Sequence, residues 1–141
     1  MAVRKGTYVL VVKLQTPRTV RAGALGEHLF EPGIYLYAGS AMGGLDQRLS
    51  RHLRREKTVR WHIDSLTTVC DSSEAYESYP DYVPECELAR IIAECGGVPE
   101  MKGFGCSDCR CSTHLFRADE EVLQNVVARC RLAPSRAREL L

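Results

Sequence analysis

The chain has 141 residues, 45% of them hydrophobic and 26% charged, with a net charge of +1, which bounds it to one domain with one core and an ordinary globular composition. No apolar run approaches the roughly 20 residues of a membrane span, and Met1 to Gly6 lacks the apolar stretch of a signal peptide, so a cytoplasmic location is expected. Seven cysteines, an odd number crowded at Cys106, Cys109 and Cys111, fit a secreted disulfide framework badly and point to reduced or metal-bound thiols.

The first element is "GTYVLVVKL". Tyr8, Leu10, Val12 and Leu14 fall on one face and Thr7, Val9, Val11 and Lys13 on the other, the period-2 pattern of a β-strand. Pro17 breaks it, and "RTVRAG" reads as a short return strand. After the turn at Gly26, "HLFEPGIYLYAG" gives at least one further strand, from Ile34 to Ala38, with Tyr35 and Tyr37 on one face. Short turns imply antiparallel pairing. Gly43 and Gly44 end a loop before a helix whose buried stripe is Leu45, Leu49 and Leu53 and whose polar stripe is Arg48, Arg51, His52 and Arg55.

"RWHIDSLTTV" predicts a short helix with Trp61 and Leu66 inward, and "EAYESYPDY" an exposed strand and turn. Pro84 opens the helix "PECELARIIAECGG", with Leu88, Ile91, Ile92 and Cys95 as core positions and Gly96 past its end. "CSTHLFRA" is a strand candidate. Asp119 caps a last amphipathic helix carrying Val122, Leu123, Val126, Val127 and Cys130. The expectation is a single α+β domain over residues 1–141, a three- to four-stranded antiparallel sheet flanked by helices. Its motif-bearing core spans about 6–95, and a Cys-rich block, a strand and a C-terminal helix follow over about 103–132.

The small net charge hides an asymmetry. Residues 1–60 hold eleven Lys/Arg and four Asp/Glu (+7), residues 61–100 one and nine (−8), and residues 101–141 seven and five (+2). Arg48, Arg51, Arg54, Arg55, Lys57 and Arg60 concentrate the positive charge, as a phosphate-contacting surface would. A solvated helix face reads the same way in sequence.

The stretch "FEPGIYLYAGSAMGG" contains Gly33-Ile34-Tyr35 and, one residue later, Tyr37-Ala38-Gly39. These resemble the two tripeptides that name the GIY-YIG nucleases, but in that family the two sit on different strands. Gly6-Thr7-Tyr8 opens the first strand, where that family keeps Gly-x-Tyr, and Tyr37-Ala38-Gly39 closes its sheet-mate. Gly33-Ile34-Tyr35 is then a decoy at the start of the second strand. Arg48 follows through "SAMGGLDQR", His52 four residues on, and Glu87 in "ECELARII" completes the ordered set. The resemblance spans about residues 6–95. Through "RWHID" and "GFGCSDCRCSTHLF" it extends to about 117, and is closest to a small-protein branch catalogued as domain-of-unknown-function group 123.

The resemblance implies a metal-dependent endonuclease hydrolysing phosphodiester bonds in DNA or structured nucleic acid. Tyr8 would act as general base and Tyr37 would position water or phosphate. His52 would hydrogen-bond Tyr8 or a phosphate oxygen, and Arg48 would stabilise developing negative charge. Glu87 would hold Mg²⁺ or Mn²⁺, with Glu85 a rival that also borders the apolar stripe. Gly39, Ser40, Arg51, Arg55 and His62 would line the substrate, with Asp64 a further neighbour. Taken one at a time, each residue also reads as ordinary: cross-strand tyrosine packing, surface arginine, solvated glutamate. The ordered set is what points to chemistry.

Cys106, Cys109, Cys111 and His114 offer up to four ligands for a structural Zn²⁺. No second knuckle accompanies them, and ligands two residues apart sit awkwardly on a strand, so buried thiols in a turn are the favoured reading, with Cys86 and Cys95 elsewhere. Two alternatives to the enzyme stand: a non-catalytic nucleic-acid-binding module on the same scaffold, or a zinc-stabilised interaction protein.

Overall fold

The alternation of Gly6–Leu14 makes β1 the strand on which the sheet is built. In a computed structural model describing residues 3–54, 57–59, 61–106 and 111–135, β1 (Gly6–Leu14) pairs antiparallel with β4 (Gly33–Ala41) on one side and with β5 (Ser72–Ser78) on the other. Between β1 and β4, β2 (Arg18–Arg21) and β3 (Glu27–Phe30) pair with each other as a separate two-stranded sheet. The remaining elements are α1 (Leu45–Leu53), α2 (Asp64–Thr67), α3 (Glu85–Glu94), β6 (Val98–Pro99), β7 (Leu115–Ala118), α4 (Glu120–Cys130) and β8 (Ala133–Pro134). The main sheet runs β6-β7-β4-β1-β5-β8, and its recorded pairings are antiparallel.

The α+β class therefore holds, but the sheet has six strands rather than three or four. The extra two, β6 and β8, are two-residue edge strands that each end in proline. Proline cannot extend a ladder, and two residues leave no periodic pattern. The segment expected to be an exposed strand is interior: β5 lies between β1 and β8, with Ser73, Ala75 and Ser78 buried.

Each face of the sheet owns one core. Tyr8, Leu10, Val12, Leu14, Tyr35 and Tyr37 pack with Leu45, Leu49, Ile63, Leu66, Phe30 and Phe104, so α1, α2 and the β2–β3 hairpin cover this face. Val9, Val11, Leu36 and Ala38 pack on the other face with Leu88, Ile92, Phe116, Leu123 and Val126, covered by α3 and α4. Asp119 caps α4 as expected, its Oδ1 accepting from Val122 N at 2.9 Å. One side chain faces the other way from expectation. Trp61 is 38% exposed, its ring covered by the guanidinium groups of Arg48 and Arg51 at 4.7 and 4.4 Å, a contact that replaces core packing. Among the described residues no helix is long and apolar enough to cross a membrane.

Two glycines let the central strands approach their neighbours. A Cβ on Gly6 would lie 2.6 Å from the Ser78 carbonyl oxygen, and one on Gly39 would run into Cζ and Oη of Tyr8. Gly39→Ala is expected to lower stability by about 2 kcal/mol through overpacking, read from urea denaturation. In a Tyr8→Leu background the penalty should shrink, because the two changes share one space. Equal stability of Gly39→Ala and the parent would refute the close approach.

Candidate active site

Tyr8 and Gly39 are directly cross-strand partners in the β1–β4 ladder, and Tyr37 sits two positions along opposite Leu10. The two tyrosines therefore share a face, and the Tyr8 ring lies on the Cα of Gly39. The middle residues of the two tripeptides tie down the flanks. Thr7 Oγ1 donates to the Val83 carbonyl at 2.5 Å, and Val83 N donates to Ser78 Oγ at 2.8 Å, which anchors the segment leading into α3. Ala38 N donates to the His114 carbonyl at 3.0 Å, which anchors the start of β7.

On the α1 side, Tyr8 Oη lies 2.7 Å from His52 Nε2. Burial pushes the His52 pKa down to about 3, helped by the positive charge of Lys57, against the opposing pull of Asp64. Burial likewise raises the Tyr8 phenol far above its ordinary value, with Arg48 opposing. Both groups are neutral near pH 7, so one hydrogen bond joins Oη and Nε2, its direction set by the His52 tautomer, and Nδ1 lies 4.0 Å from Asp64 Oδ1, beyond hydrogen-bond reach. Arg48 Nη1 donates to the Ser40 carbonyl at 2.9 Å. Tyr37 is also held protonated, first by burial and then by the Glu85 carboxylate, with Arg48 opposing.

The carboxylate at this cluster is Glu85. Its Oε2 lies 2.8 Å from His114 Nδ1. Burial pushes the Glu85 carboxyl up, but hydrogen bonds from His114 and Ser40, with the positive fields of His114 and Arg48, outweigh it and hold the pKa below the ordinary value. Glu87 is not brought to the tyrosines: it is exposed, its Oε1 bound to Arg90 Nη2 at 3.1 Å. Two residues along a helix is about 200° of rotation, so the two glutamates face apart.

The other expected substrate residues divide. Ser40 and Gly39 belong to the cluster. Arg51 makes a two-pronged ion pair with the fully buried Asp64, at 2.9 and 2.8 Å, which ties α1 to α2. His62 Nδ1 accepts from Gly105 N at 3.0 Å, and its ring packs at a tilt of 52° against Phe104, which in turn meets Tyr37 edge-on. Arg55 and Cys109 lie outside the described residues. Lys57, which no motif marked, caps the end of α1 by donating to the carbonyls of His52 and Arg51 at 2.6 and 3.1 Å.

A group that can hold a metal ion lies beside Glu85. Cys86, Cys111 and His114 place one ligand atom each within 4.8 Å of one another. Cys86 was absent from the expected ligand set, because only the fold brings the first turn of α3 to the cysteine block. Neither Cys106 nor Cys111 is buried, so the expectation of thiols packed inside a turn gives way. The remaining expected member, Cys106, has its Sγ 3.5 Å from the Phe104 carbonyl.

The family model described as domain of unknown function DUF123 matches residues 7–133, and the chain belongs to that family. No curated protein and no solved structure gives a significant match.

The buried, neutral His52 has a stability signature. Its pKa is about 3 in the fold against 6.5 ordinarily, so between those values the unfolded chain binds the extra proton. The contribution is complete above pH 6.5 and is lost as pH falls towards 3. Urea midpoints should drop between about pH 7 and about pH 4.5, and His52→Gln should flatten that slope. A His52→Gln slope as steep as the parent's would show that another group carries it.

Proposed function

We propose that this DUF123-family chain is a metal-dependent endonuclease of GIY-YIG type, acting on phosphodiester bonds in DNA or structured nucleic acid. The observation that carries the reading is the pairing of Tyr8 against Gly39 on adjacent antiparallel strands, with His52 on the phenol oxygen and Arg48 and Glu85 beside it. A hydrolytic site needs a proton acceptor for water, donors for the growing phosphate charge, and a hard-oxygen ligand.

These residues can fill those roles. Tyr8 Oη takes the proton of the attacking water while its own proton passes to His52 Nε2, 2.7 Å away. The imidazolium so formed faces Asp64. An anionic phosphodiester beside Arg48 adds negative charge that favours this otherwise costly cation. Arg48, partly exposed and aimed along β4 at Ser40, supplies donors to the transition state. Tyr37 and Ser40 position the phosphate. Glu85 is the carboxylate that fits Mg²⁺ or Mn²⁺, in place of Glu87, and such an ion would polarise the phosphate and neutralise the leaving oxygen. Thiolate and imidazole at Cys86, Cys111 and His114 suit zinc instead.

A second reading is favoured by burial. Tyr8 is only 2% and Tyr37 only 8% exposed, as in a scaffold that binds nucleic acid through its basic α1 face without cutting it. The partly exposed Trp61 ring with the guanidinium groups of Arg48 and Arg51 over it forms a cationic aromatic patch consistent with either reading. The zinc-stabilised interaction protein draws support from the cysteine–histidine group alone.

Cleavage of varied DNA and RNA substrates with Mg²⁺ and Mn²⁺ separates these readings. Arg48→Ala should cost about 10²–10³ in kcat. Tyr8→Phe should keep the fold and lose turnover, and Glu85→Gln should lose cleavage while retaining binding. Glu87→Gln should cleave like the parent. Salt-sensitive binding with no cleavage under either metal would leave the binding module; neither binding nor cleavage would leave the interaction protein.

A further inference from the structure

We propose that Cys86, Cys111 and His114 form a zinc site whose histidine also fixes Glu85, so that a soft-metal centre sets the carboxylate at the Tyr8 cluster.

The geometry of His114 carries this. Its ring is fully buried, with Nε2 3.8 Å from Cys86 Sγ and Nδ1 2.8 Å from Glu85 Oε2. Zn–S near 2.3 Å and Zn–N near 2.0–2.1 Å at tetrahedral angles put sulfur and nitrogen about 3.6 Å apart. The observed separation, a thiol–imidazole contact as it stands, leaves room for both atoms to bind one ion with little movement. Cys111 Sγ, within 4.8 Å of both, supplies a third ligand atom. The opposite ring nitrogen lies 2.8 Å from a carboxylate oxygen, the place of the outer partner that metal-bound histidines recruit to fix tautomer and ring orientation.

The ligand chemistry selects the ion. Two thiolates and an imidazole favour zinc and disfavour Mg²⁺ or Mn²⁺, which need oxygen donors. Cys86 sits in the first turn of α3, where the helix amides favour the thiolate. The two ion classes are thus sorted onto the two sides of one imidazole: soft ligands on Nε2, and Glu85 on Nδ1. Glu85 in turn meets Ser40 and Arg48. The zinc half stands by itself; the coupling half rests on the reading of Glu85 as a nuclease carboxylate.

Metal analysis of the full chain purified under reducing conditions tests the first half. About one zinc per chain is expected, and Co²⁺ replacing it should give thiolate charge-transfer absorption with intense tetrahedral visible bands. Cys86→Ser, Cys111→Ser and His114→Gln should lose the ion, while Cys95→Ser keeps it. Should these variants fail to fold, alkylation of Cys86 and Cys111 in the parent chain serves, being slowed by zinc and restored by a strong chelator. No bound zinc, no thiolate band, or alkylation indifferent to the chelator would overturn the site. Glu85→Ala should weaken zinc binding by about 10- to 100-fold; unchanged affinity would overturn the coupling. If zinc binds and Glu85→Ala weakens it while nothing is cleaved, the zinc inference stands and the nuclease reading falls.

Discussion

The seating of the Tyr8 ring on the bare Cα of Gly39 fixes the rest of this structure. A side chain at Gly39 would fill the space of Cζ and Oη and would turn the phenol away from α1. With the ring seated there, Oη reaches His52, the residue one helical turn beyond Arg48 on the polar stripe of α1. The same ladder places Thr7 against Val83 and Ala38 against His114. The strands thus position two further elements, the start of α3 and the start of β7, the sheet neighbour of β4. One close approach between neighbouring strands organises the phenols, the helix that answers them, and the carboxylate that flanks them.

How much of this was legible in the sequence follows from the range of each interaction. The faces of β1, the leucine stripe of α1 and the Asp119 cap are set by neighbours a few residues away, so periodicity and residue type were enough. The strands β6 and β8 are held by the sheet they join, and two residues ending in proline carry no signal of their own. Trp61 was misjudged because its apolar ring reads as core, whereas two guanidinium groups satisfy it at the surface. The choice between Glu85 and Glu87 needed knowledge of which side of α3 meets His114. The apolar stripe borders both glutamates and could not decide. Cys86 joins Cys111 and His114 only through the tertiary fold, and spacing within the 106–114 block pointed to Cys106 instead.

The charge asymmetry along the chain has a structural meaning that the totals conceal. Among the described residues, two carboxylates of the acidic middle segment neutralise arginines of the basic first segment. Glu77 binds Arg4, which also pairs with Asp46 of its own segment, and the buried Asp64 takes the fork of Arg51. Breaking a pair of the second kind strands a buried charge, so Arg51 belongs first to the α1–α2 joint and only secondarily to any ligand. Arg48 is different. Its donor bonds a backbone carbonyl and its guanidinium lies over Trp61, and neither contact neutralises its charge with a carboxylate. A phosphate approaching this face therefore meets in Arg48 a cation already oriented by the strand that carries Ser40, beside a neutral histidine and a protonated phenol. The resting site holds little net negative charge apart from Glu85. That is the electrostatic condition under which an anion and a divalent ion can enter together, the anion drawn to Arg48 and the cation to the carboxylate.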